Sequence, residues 1–159
     1  MKLISNYLSK ALLALAVVGC SANVLAAKPN LVLQQPNVSL ELANELIDAT
    51  MAACHAEGKS AVVAVVDRGG NLIALQRDDN VGPHNTDAAV RKAFTALSTK
   101  TPSRTLANNA RANPDSNNLN TVNDLLLIGG GVPLKFGNDV IGAIAVGGAG
   151  GAVQDESCA

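Results

Sequence analysis

The sequence predicts a single α+β domain in which a mainly antiparallel sheet of about five strands is covered by helices. Three observations carry this. A length of 159 residues suits one core and is too short for two. Hairpin signals lie on either side of a stretch with helical spacing. Hydrophobic residues reach 48% and charged residues only 16%, which excludes disorder for the bulk of the chain. With 2% aromatic residues, no Trp and 14 Gly, the core must be built from Ala, Val, Leu and Ile with backbones close together. The same composition excludes base-stacking platforms, and no Lys or Arg run forms a phosphate-binding stripe, so nucleic acid is not an expected partner.

Residues 1–26 read as a signal peptide, leaving residues 27–159 as the domain. Lys2 and Lys10 precede the apolar run Ala11 to Val18, and Val24-Leu25-Ala26 suits cleavage. The run is too short to span a bilayer. A rival reading takes Val17-Val18-Gly19-Cys20 as a lipobox, with Cys20 anchoring the protein to a membrane. Either route gives export, to the periplasm or beyond. Loss of Lys2 and Lys10 makes a chain of formal charge -1 more acidic by those two charges. Cys54 and Cys158 remain, either bridged or as one buried and one exposed thiol.

Along the domain, Leu31 to Gln34 reads as extended. Ser39 is an N-cap for an amphipathic helix with Leu40, Ala43, Ile47, Met51 and Cys54 on one face, stopped by Gly58. Ala61 to Val66 is apolar on both faces, as in a central covered strand. Asp67 to Asn71 is a turn, and Leu72 to Gln76 returns beside that strand. Pro83 to Asp87 opens a second helix, capped by Asn85 or Thr86, with Val90, Ala93, Phe94 and Leu97 on one face and Pro102 ending it. Ser103 caps a shorter helix to about Ala110, and Asn113 to Asn118 is a polar loop. The turn Gly129 to Gly131, the strand Pro133 to Phe136, the turn Gly137 to Asp139 and the strand Val140 to Val146 complete the second hairpin.

The chemistry is limited by the presence of only 2 histidines. His55 follows Cys54 on a helix, where adjacent side chains diverge by about a hundred degrees and cannot share one ion. There is no G-x-S-x-G elbow, H-E-x-x-H pair or P-loop, and the clusters Gly129 to Gly131 and Gly147 to Gly151 read as turns. His84 precedes the second helix beside Gly82 and Pro83, at a corner that projects its ring. Arg91 and Lys92 follow, and at most one can face the same pocket. An imidazole beside a cation, above an Ala/Val/Phe face, suits a flat apolar ligand with carboxylates, as haem is; the alternative is an exposed loop histidine with two solvated basic residues.

The order of several segments resembles the GlcG/HbpS family of haem-binding or "haem-degrading" proteins, which is related to the C-terminal domain of PduO-type proteins. These segments are Ala61 to Asp67 with Gly69, Gly70 and Leu72; Gly82 to Thr86 leading to Arg91 to Ala96; Gly129 to Pro133; and Val140 to Val146 before Asp155 to Cys158. The resemblance implies a profilin-like fold, homo-oligomers, and binding of haem or, alternatively, a corrinoid. It carries over His84, Thr86, Arg91, Lys92 and Phe94 as cofactor-binding candidates, with His84 as metal ligand. It also implies a terminal helix beyond the point, just after Cys158, where this sequence stops. Competing functions are a small enzyme on a carbonyl or hydroxy-acid metabolite, related to glycolate use, with His84 as base and Arg91 as carboxylate clamp, and a purely structural oligomer.

Overall fold

The computed structural model describes residues 31–159. The expected signal peptide and Cys20 lie outside the described residues. Residues Gln34–Ala159 form one compact unit. Its elements are α1 (Leu40–Ala56), β1 (Val62–Asp67), β2 (Leu72–Arg77), α2 (His84–Thr99), α3 (Ser103–Ala112), a 3-10 helix (Pro114–Thr121), β3 (Gly131–Phe136), β4 (Asp139–Gly147) and α4 (Ala152–Cys158). The sheet is antiparallel throughout, in the order β2-β1-β4-β3.

The two central strands bury side chains on both faces, with the alanines on one of them. Val63, Val65, Ile144 and Val146 pack with Ala43, Ile47, Met51 and Cys54 of α1. On the opposite face Val66, Ala143 and Ala145 meet Ala93, Ala96 and Leu97 of α2, while Val62 and Ala64 meet Ala89. Alanine on both sides of the second interface lets α2 approach the strands closely, so an Ala-rich, Trp-free sequence still fills its core. Every one of Val62 to Val66 is buried, as a strand covered on both faces requires.

Several expectations are corrected. The α+β class and its antiparallel sheet are as expected, with four strands among the described residues against about five expected: residues 31–34 form none, because the run is short and Pro36 supplies no ladder donor. The second helix begins at His84, before either expected cap; Pro83 occupies the cap position with φ −59° and no side chain caps it. Ser103 is not a cap either, since Pro102 takes that place. The polar loop after Asn113 is wound into a 3-10 helix whose cap is Asn113, which accepts from the Asp115 N–H. Beyond the glycines Ala152–Cys158 form α4, an element the sequence pattern did not predict. Cys54 and Cys158 are bridged, with Cα atoms 5.2 Å apart, which resolves the two readings left open.

Candidate functional site

The glycine loop Gly147 to Gly151 turns the chain from β4 into α4, with positive φ at Gly148, Gly150 and Gly151. A side chain at Gly148 would meet Val81 at 2.7 Å and Asn85 at 3.3 Å, so the loop lies directly against the start of α2. Between them is an open concavity of about 370 Å³. His84 stands on its rim, exposed, and neither ring nitrogen has a hydrogen-bond partner among the described residues. Asn85 donates from Nδ2 to the Gly82 carbonyl at 3.2 Å, bracing the corner from which the imidazole projects. Ala88, Ala152 and Ile128 add apolar surface, and Ile128 is 47% exposed.

The floor holds a buried ion pair. Lys92 Nζ lies 2.6 Å from Asp155 Oδ2 and also donates to the Val146 carbonyl at 3.1 Å. Asp155 Oδ1 accepts from the Ala149 N–H at 2.8 Å. The side chains are 3% and 4% exposed, so the pair fixes α2, the glycine loop and α4 together at a point shielded from water. Lys59 approaches the same loop, its Nζ 4.0 Å from where a Cβ on Gly150 would stand, and it makes no ion pair among the described residues.

Of the five candidates, His84 and Lys92 line this concavity and the other three do not. Arg91 points elsewhere, donating to the Leu125 carbonyl at 3.1 Å and lying 3.7 Å from Asp87. Thr86 sits half-buried on the first turn of α2. Phe94 lines a different concavity, beyond the far end of the helix from His84. Adjacent Arg91 and Lys92 diverge as helix geometry demands. Sequence reasoning missed Asp155, Lys59 and Ile128; the partnership of Lys92 with Asp155 crosses 63 positions and leaves no local signal.

These features define a class: a one-sheet α+β domain, helices on both faces, presenting an unpartnered histidine beside a glycine shelf. The chain belongs to the HbpS-like haem-degrading family, whose model, described as "Haem degrading protein HbpS-like", matches residues 38–159. A double mutant of HbpS from Streptomyces reticuli superimposes with a TM-score of 0.77 at 33% identity, covering 87% of this chain and 92% of that one. The Klebsiella pneumoniae protein ORFY gives 0.78 at 29% identity, covering 84% and 92%. An uncharacterized 15.0 kDa protein from the dhaT-dhaS intergenic region of Citrobacter freundii is 27% identical over 77% of this chain and 87% of its own length. The structure of a PduOC complex with haem, at 22% identity and a TM-score of 0.67 over 76% of this chain and 88% of that one, shares the fold.

Proposed function

We propose that this protein is an exported haem-binding protein that handles or senses the tetrapyrrole, with His84 as axial ligand. The observation that carries the reading is the unpartnered His84 imidazole on the rim of an open concavity beside the glycine loop. The residues fit the group. Iron needs a ring nitrogen free of competing hydrogen bonds, a macrocycle needs a wall without bulky side chains, and propionates need a cation at the edge. His84 meets the first need and Gly148, Gly150 and Gly151 with Ala88 and Ile128 the second; Lys59, which approaches Gly150 from outside the lining and has no ion-pair partner among the described residues, is a cation available for the third. Lys92 is already neutralised by Asp155, and Arg91 is turned toward Leu125, so Lys59 replaces both as the propionate partner. Bound haem would supply a redox-active iron; the chain supplies orientation, a ligand and partial exclusion of water.

Export is supported by the Cys54–Cys158 bridge, since such bonds persist in oxidising compartments. The family resemblance also implies self-association. The hydroxy-acid enzyme finds less support, because Arg91 does not share a cavity with His84 and the base is left without its clamp.

Absorbance titration with haem is the test. Saturable binding with a Soret band is expected, displaced or weakened in His84→Ala, with Lys59→Gln reducing affinity by about three- to tenfold while retaining the band position. A spectrum unchanged in His84→Ala removes that residue from the role. Cobalamin binding in preference to haem would move the assignment to a corrinoid, and the mass of the coloured species gives the subunit count.

A further inference from the structure

A second concavity of about 370 Å³ lies where the β1–β2 turn, the C-terminal end of α2 and the β3–β4 turn meet. Its lining from Phe94 to Lys100 lies roughly 15–24 Å along the α2 axis from the His84 corner. Its apolar lining is Phe94, Leu97 and Val140. Phe94 packs against the backbone of the β1–β2 turn: a Cβ on Gly70 would stand 2.8 Å from the ring, so this glycine leaves room for the aromatic face.

Two cations share the lining, Arg68 and Lys100, and neither has an ion-pair partner among the described residues. The Arg68 guanidinium makes one donation, from Nη1 to the Val140 carbonyl at 3.3 Å, leaving its other donors for a ligand, while the Arg68 backbone N–H donates to Asn37 Oδ1 at 2.8 Å. Lys100 is the C-cap of α2 with φ 52° and ψ 27°, a left-handed conformation in which glycine would be relaxed. A lysine kept there puts a cation at the cavity at the expense of backbone ease. Its own N–H bonds to the Ala96 and Leu97 carbonyls, so the negative end of the helix is partly quenched where the two cations gather. Asp139 is the remaining charged group of the lining, which leaves one net positive charge and opposes a dianion.

We propose that this cavity binds a small monocarboxylate with a compact apolar body. Arg68 and Lys100 hold the carboxylate, and Phe94, Leu97 and Val140 receive the body. The site is independent of His84 and stands whether or not haem binds there.

Phenylacetate is a suitable probe, followed by amide chemical shifts of the isotopically labelled protein. Saturable shifts are expected at Gly69, Phe94, Ser98 and Asn138. Acetate, which lacks the body, 2-phenylethanol, which lacks the charge, and inorganic phosphate should each bind at least about tenfold more weakly. The double variant Arg68→Gln, Lys100→Gln should lose binding by a similar factor. Lys100→Gly provides a second arm that protects against misfolding: it relaxes the helix cap, so it should be at least as stable as the parent while binding phenylacetate more weakly. Linear, unsaturated shifts, shifts centred on the His84 corner, phosphate binding as tight as phenylacetate, or full affinity in Lys100→Gly would each overturn the proposal.

Discussion

Lys92 and Asp155 are both largely taken out of water, and their positions are tolerable because they pair with each other and each has a further hydrogen-bond partner. Val146 takes a second Lys92 proton and Ala149 occupies the other Asp155 oxygen. Replacing Asp155 by Ala strands an ammonium in the interior, and a loss of about 3–5 kcal/mol is expected in urea denaturation. The double replacement Lys92→Met, Asp155→Leu should recover most of that loss; a double variant no more stable than Asp155→Ala would mean that the charges are not coupled. Asp78 is a milder case. Burial pushes its carboxyl up, but the Ala61 N–H and the His55 ring more than offset this, leaving it below its ordinary value of 3.8. A carboxyl depressed on folding stabilises the protein above that value, and the benefit is lost as pH falls through the lower, folded-state value. Asp78→Asn should therefore cost roughly 1 kcal/mol at neutral pH, with the gap to the parent closing in acid below pH 3.8. A gap that stays constant down to acid pH would assign the loss to packing instead of charge.

Ser103 illustrates how an element can be visible in sequence while the work of its residues is not. Its position before a helical pattern makes it look like a cap, yet its hydroxyl donates to the Ile128 carbonyl at 2.7 Å and accepts from the Gly131 N–H at 2.9 Å. It ties the start of α3 to the approach of β3, with no exposure to solvent. Ser103→Ala removes one hydroxyl and leaves two backbone groups unsatisfied, so about 2 kcal/mol should be lost, seen as a lower urea midpoint at unchanged slope. A loss within a few tenths of a kcal/mol would mean water has replaced the hydroxyl. The long elements were legible because their periods are strong: Ala43, Ile47, Met51 and Cys54 bury one face of α1, though Leu40 on the same period is exposed, and Ala61 to Val66 could only be covered on both sides. Element ends were less legible, since Pro83 can open a helix without a capping side chain and Ala152 to Cys158 is too short to show a period. The site was half legible: the exposed corner at His84 follows from Gly82 and Pro83, whereas Lys59 reaches the glycine shelf only through the tertiary fold.

At the scale of the whole molecule, α4 is held to three other helices by three links, one covalent and two ionic. Cys158 is bonded to Cys54 of α1, Asp155 pairs with Lys92 of α2, and Glu156 pairs with Arg104 of α3. The covalent link joins residues 104 apart in sequence, so it restricts most of the folding chain when unfolded, and its loss should cost about 4 kcal/mol by loop-closure entropy. That effect acts on the unfolded ensemble, whereas the wall of the His84 concavity is set locally by Asp155, which bonds to both Lys92 and Ala149. Stability and the binding site should therefore separate under reduction. Adding a thiol reductant, or replacing both cysteines by Ala, should lower the urea midpoint strongly while shifting the proposed haem affinity of the folded protein by less than about threefold. An unchanged midpoint would mean that the bridge does not form in solution. A collapse of haem affinity at urea concentrations where the reduced protein is still folded would place control of α4 in the disulfide instead of the buried ion pair.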